Sequence, residues 1–212
     1  MQYQNKICLL PVLIMLAVSQ LYSQQDSSLF RIGASYETGK QPFFPFTSPD
    51  YTYSVKGYKV LINYRIKESG SFSYELQIEP GIYSARHRLL NEYFIQPDRG
   101  SDYLEQREIY KKEKIISEYV LNIGFQVRYA LKGKLSLFAS GSIGPMISGT
   151  ETERLAKGFA FADVIATGIA YKVRKVMFEI RPGLRHVSNA NLQHPNSGHN
   201  SSNLDFGISY SI

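Results

Sequence analysis

Apolar side chains recur at every second position of this chain in eight separate stretches, and helical spacing is nearly absent. A period of two marks β-strands with one apolar face, so the chain is expected to be all-β. The first stretch sets Phe30, Ile32, Ala34 and Tyr36 against Arg31, Gly33, Ser35 and Glu37; the second sets Tyr58, Val60, Ile62, Tyr64 and Ile66 against Lys59, Asn63 and Arg65. The third and fourth follow the same rule from Phe72 to Ile82 and from Tyr119 to Tyr129. A weaker fifth runs from Leu135 to Ile147, and the sixth, Phe159 to Tyr171, opposes a large apolar face to a face of alanines and Gly168. Asp163 breaks that large face. The seventh begins at Val176 and the eighth runs from Leu204 to Ile212.

Alternation alone does not say which face meets which solvent, since a soluble lipocalin-like barrel alternates as well. The polar face decides it. Arg31, Glu37, Lys59, Arg65, Glu75, Glu79, Glu118, Arg128, Glu179 and Arg181 carry both signs, as a charged network filling a narrow interior would. Tyr and Phe gather at strand ends, matching the two aromatic girdles of an outer-membrane barrel. Short links near Lys67 to Ser71, Lys132 to Lys134 and Lys172 to Lys175 alternate with long ones near Gly39 to Val55, Arg86 to Lys114, Gly149 to Gly158 and Ala190 to Asn203. With both termini and the short turns on one side, the long loops emerge on the outer side. The expected fold is an eight-stranded antiparallel transmembrane β-barrel of the outer membrane over residues 24–212.

Residues 1–23 read as a secretory signal peptide: Lys6, an apolar run from Ile7 to Ser19, then Leu21-Tyr22-Ser23. That run is shorter than the roughly twenty residues a spanning helix needs. The single Cys8 lies within it, so the mature chain is expected to lack disulfides and thiolate chemistry. The formal net charge of +6, modest for 212 residues, and export together argue against nucleic-acid binding.

Strand seven continues into Arg185-His186-Val187-Ser188-Asn189-Ala190, and the period of two puts His186 and Ser188 on the face of Val176, Phe178, Ile180 and Leu184. That face looks at lipid. From Val176 to His186 a strand tilted near 40° rises about 25 Å, the height of the apolar band, which places the pair level with the outer-leaflet head groups. A histidine and a serine at a strand end are also what an ordinary hydrated interface shows.

The stretch His186-Val187-Ser188-Asn189-Ala190-Asn191-Leu192, followed by Pro195-Asn196-Ser197-Gly198, resembles the outer-membrane lipid A 3-O-deacylase (PagL-like, acyloxyacyl hydrolase) family. The resemblance implies an eight-stranded membrane barrel whose His and Ser act on lipid A of lipopolysaccharide from outside the barrel, without a cofactor. It makes Ser188 the nucleophile and His186 the base of an ester hydrolysis. Asn189, Asn191, Asn196 and Gly198 are candidate donors to the oxyanion or the substrate, although Asn, Pro and Gly are also ordinary loop formers. The family carries a Glu twelve residues after its serine to orient the histidine, and here that position is Asn200. An amide there orients an imidazole but does not stabilise the imidazolium. The competing expectation is a noncatalytic small barrel with a structural or adhesion role.

Other constellations are weaker. His186, His194 and His199 lack an adjacent carboxylate at ligand spacing, so no metal is expected. Arg86-His87-Arg88 and Lys111-Lys112 are expected in the long second loop, either meeting lipopolysaccharide phosphates or simply solvated.

Overall fold

The computed structural model describes residues 28–41, 43–97, 102–131 and 133–212; the expected signal peptide, 1–23, lies outside the described residues. Eight strands form, β1 (Phe30–Lys40), β2 (Tyr51–Ser69), β3 (Phe72–Leu89), β4 (Lys114–Ala130), β5 (Leu135–Ser148), β6 (Gly158–Val173), β7 (Val176–Ser188) and β8 (His199–Ser211). Each pairs antiparallel with the next, and β1 closes on β8. Closure leaves no edge whose backbone groups would face lipid unpaired.

The alternation read from the sequence sorts as expected over the lower two thirds of the barrel. Ile32, Val60, Ile143, Ile165 and Ile180 stand on the outer wall, with Ile165 71% exposed and Ile143 62% exposed. Such a wall suits hydrocarbon. Aromatic pairs mark its two rims: Phe30–Tyr64 and Phe72–Tyr129 at the short-turn end, with ring centroids 4.8 and 4.9 Å apart, and Tyr36–Tyr58 and Phe159–Phe161 at the other end, at 5.3 and 5.0 Å.

The interior is a charge lattice. Arg31 forks onto Glu75 with two bonds of 2.8 and 2.7 Å, and Arg128 reaches Glu179 at 2.5 Å. Lys59 meets Glu37 at 3.0 Å, Glu79 at 3.1 Å and also Asp205, while Arg181 bonds Glu79 at 2.7 Å. Each buried charge has a partner, as ions removed from water require, and deleting one partner of such a pair costs on the order of 3–5 kcal/mol. The bulk of these chains is accommodated by the small inward faces of β5 and β6, where Ser136, Ala166 and Ala170 are buried. Arg65 departs from the expected set: half-buried at the short-turn rim, it pairs with Glu68 at 2.9 Å.

Above the aromatic rim the strands continue further than expected, and the polarity inverts. Tyr51, Tyr53, Val55, Tyr83, Ala85, Ile116, Val120, Met146 and Leu155 form one buried apolar cluster inside, while Thr52, Lys56, Arg86, Arg88 and Ser117 face outward. This collar is built as a soluble barrel is. The expected long loops are shortened to 41–50, 90–113, 149–157 and 189–198, the second containing a 3-10 turn (Glu92–Phe94) and a short helix α1 (Tyr103–Tyr110). Arg86-His87-Arg88 therefore lies on β3 rather than in a loop, with His87 turned inward and the two arginines outward. Lys111 does follow α1, where it pairs with Glu92 at 2.8 Å and Glu108 at 2.7 Å.

Candidate active site

Strand β7 carries His186 and Ser188, the candidate pair, across the boundary between lipid-facing wall and collar. Arg185 points inward, 1% exposed, and donates to Glu118 at 2.7 Å and to the Tyr53 hydroxyl at 3.0 Å. Val187 is fully buried in the collar cluster. With these two anchored inside, His186 and Ser188 must stand outside, where His186 is exposed and Ser188 half-buried.

The His186 ring is held from β8. His186 pairs across the strands with Asn200, and its Nδ1–H donates to Asn200 Oδ1 at 2.7 Å. An amide oxygen only accepts, so the proton sits on Nδ1 and Nε2 presents a lone pair. That is the tautomer a general base needs. The Ser188 hydroxyl makes no hydrogen bond among the described residues, so serine and base are neighbours here without being joined.

Gly198 sets their spacing. It lies in the left-handed region at φ +70°, and a Cβ there would stand 2.5 Å from Val187 O, 3.3 Å from His186 Cε1 and 3.6 Å from Ser188 Cβ. The backbone thus approaches the pair as closely as a missing side chain allows. Its N–H donates to Arg154 O at 2.9 Å and its carbonyl accepts from Arg154 Nε at 2.7 Å, so loop 149–157 clamps this glycine from above.

The remaining candidates divide between loop pins and available donors. Asn189 is fully buried; its N–H donates to Asn196 Oδ1 at 2.6 Å and its Nδ2 to Gln193 O at 2.9 Å. Asn196 Nδ2 in turn donates to Asn191 Oδ1 at 2.9 Å. Ala190 and Asn191 both have positive φ, 53° and 62°, and Leu192 N–H donates to Asn189 O at 3.0 Å, which closes a tight turn of the I′ kind. Among the described residues no acceptor meets the backbone N–H of Ala190 or of Asn191. The turn therefore presents two adjacent backbone donors just past Ser188.

The other histidines are not near His186 on its face. His194 lies in the exposed loop, and His199 points into the collar, where its ring stacks on Tyr53 at 4.7 Å and 6° and its Nε2 meets Thr152 Oγ1 at 3.2 Å. Burial, with His87 and Arg154 near, keeps the His199 pKa well below the ordinary histidine value. His87 contacts both Glu153 carboxylate oxygens at 2.8 Å. Among the described residues no three His, Cys, Asp or Glu side chains converge as a metal site. Arg154 was not singled out in the sequence, because its role depends on a loop folding over the barrel mouth.

The family model for lipid A 3-O-deacylase (PagL) matches residues 96–209, more than half of the chain and all of the site. The chain belongs to the lipid A 3-O-deacylase (PagL) family. The outer-membrane enzyme PagL has a similar solved structure, with a TM-score of 0.53 at 14% identity over 83% of this chain and 97% of that one. Neisserial surface protein A is also similar, with a TM-score of 0.50 at 11% identity over 87% of this chain and 98% of that one. At such identities the two structures speak for the fold alone. No curated protein matches the chain. Family and fold together place this PagL-family protein in the outer membrane as a lipid A deacylase.

Proposed function

We propose that this PagL-family barrel hydrolyses the ester-linked acyl chain at the 3-position of lipid A by a serine mechanism, with Ser188 as nucleophile and His186 as base. The observation that carries the reading is the outward placement of both side chains at the outer rim of the lipid-facing wall, with His186 Nδ1 tied to Asn200. A lipid A ester in the outer leaflet lies at this height, its acyl chains extending down the wall past Ile165 and Leu184.

In the first half-reaction His186 Nε2 takes the Ser188 proton as Oγ bonds to the acyl carbon. Negative charge moves onto the carbonyl oxygen, and the backbone N–H groups of Ala190 and Asn191, in the turn that follows Ser188, are the donors assigned to it. Collapse breaks the bond to the sugar oxygen, which leaves with the proton from Nε2. Water then repeats the sequence on the acyl-enzyme and releases a fatty acid. Asn200 keeps the Nδ1 proton in place throughout. Asn189 and Gly198 act by shaping the loop, since their backbone N–H groups are engaged within the protein, and the Asn196 side chain pins the same loop between Asn189 and Asn191. Arg86 and Arg88 on the outside of the collar and Lys112 in loop 90–113 are suited to the phosphates of lipopolysaccharide.

The test is a mass spectrum of lipid A from cells with and without the protein. Loss of one hydroxyacyl mass, absent with Ser188→Ala, is the expected result. An unchanged spectrum with assembled barrel would favour the noncatalytic reading, to which the unjoined Ser188 hydroxyl lends weight.

A further inference from the structure

Asp163 interrupts the apolar outer face of β6, lying between Phe161 and Ile165 on the side that meets lipid. A carboxylate with a buried oxygen is costly unless something opposes its charge. One of its oxygens, Oδ1, is buried without a hydrogen-bond partner, and no ion pair engages the side chain among the described residues. It stabilises nothing visible in the resting fold.

The strand register supplies its context. Asp163 is the cross-strand partner of His186, and His186 is the cross-strand partner of Asn200, so the three form one row over β6, β7 and β8. All three are on the outer face. Direct cross-strand neighbours have Cβ atoms about 4.5–5.5 Å apart, within reach of one another's side chains. Asn200 fixes the ring through a neutral amide and leaves the positive charge of an imidazolium unopposed on that side.

We propose that Asp163 is a positioning residue whose carboxylate faces His186 from β6 and opposes the imidazolium formed during catalysis. The inference rests on the deacylase reading above. The proton on Nε2, taken from Ser188 in the first step and from water in the second, stays there until the sugar oxygen or Ser188 Oγ receives it; Asp163 transfers nothing. The charged or titratable groups on the elements packed about His186 are Asp163 on β6, Arg154 from loop 149–157, Tyr51 on β2, whose hydroxyl accepts from Asn200 N–H at 3.5 Å, and, behind the wall, Arg185 on β7 and His199 on β8, whose neighbour His87 is paired with Glu153. Asn200 and Ser188 carry no charge. Asp163 is thus the one anion on the outer face beside the ring among the described residues.

The experiment uses the full-length barrel in detergent and compares the parent with Asp163→Asn and with Asp163→Asn/Asn200→Glu, assembly being checked by heat-dependent gel mobility. Two quantities are read: deacylation rate against pH, and the pH midpoint of the His186 ring resonances without substrate. An opposing charge within about 4–6 Å shifts such a midpoint by about 1–3 pH units. Asp163→Asn should move the midpoint and the acidic limb of the rate profile down by that amount, and lower the maximal rate about ten- to a thousandfold. Asn200→Glu in the same background should restore both, because it returns a negative charge to the ring from the other strand. Parent-like rate and midpoint in Asp163→Asn would overturn the proposal, as would a fall in rate with an unmoved midpoint and no rescue. A midpoint that shifts in a protein inactive on lipid A would retain the Asp163 pairing and refute the deacylase reading. If Asp163→Asn does not assemble, Asp163→Ser is read in its place.

Discussion

The lower barrel and the collar use the same strands with opposite polarity. Below the outer aromatic rim β2 puts Lys59 and Asn63 inside and Tyr58, Val60 and Tyr64 outside; above it the same strand puts Tyr51, Tyr53 and Val55 inside and Thr52 and Lys56 outside. The backbone rule is unchanged, and only the solvent on the outer wall differs. In lipid, charged groups are driven inward to pair with one another; in water, apolar groups are driven inward to leave it. Strand β7 crosses the seam between these regimes at its last turn of sequence, with Leu184 in the apolar wall and Val187 in the collar core. His186 and Ser188 occupy the seam itself, where a head group and an acyl chain meet.

The largest expected effect tests the seam as a chemical site. Ser188→Ala or His186→Ala should lower deacylation on the order of 10⁴-fold or more, as single knockouts of the nucleophile or base do in serine hydrolases. Neither change should alter assembly, since neither side chain fills the interior. Rates measured on heat-modifiable protein check both statements.

A second test breaks the polarity comparison directly. Ile180→Arg, midway along the lipid face of β7, should destabilise the barrel by about 2–4 kcal/mol. Thr52→Arg, outward on the collar, should stay within about 0.5 kcal/mol of the parent. Unfolding in denaturant from lipid vesicles reads the difference, and equal losses would mean that the collar is also immersed in hydrocarbon.

What was legible in the sequence follows the same division. The lipid-facing wall demands an apolar residue at every outward position, so Phe30 to Tyr36 or Tyr119 to Tyr129 declare their strands without help. The collar gives no such signal: Tyr51 to Val55, Arg86 to Leu89 and His199 to Asn203 mix aromatic, charged and amide residues on both faces and read as loops. Their inward members are paired with residues distant in the chain, as His87 is with Glu153 and Arg185 with Glu118. The shared outward face of His186 and Ser188 was legible because both lie within one strand. Asp163 was visible only as an exception, since its neighbour His186 lies across a register that a single strand does not reveal. Arg154 required a loop to fold onto Gly198.

A smaller effect sharpens the role of the amide in the row. Asn200→Ala removes the acceptor of Nδ1–H but leaves Asp163 and Ser188 in place. The loss should be about ten- to a hundredfold, of the order of one oriented hydrogen bond. Rates across pH at fixed lipid A concentration check it, and a loss as large as that of Ser188→Ala would mean that orientation rather than charge limits the reaction.

The central claim, that Ser188 is an activated nucleophile on the lipid-facing wall, is tested most directly by covalent labelling with a serine-directed fluorophosphonate bearing a long alkyl chain. Purified full-length protein in detergent is treated and the modified peptide found by mass spectrometry. The account expects one adduct, on Ser188, formed by the parent and lost in His186→Ala. No adduct on Ser188 of an assembled barrel that still deacylates lipid A, or an adduct that persists unchanged in His186→Ala, would contradict it.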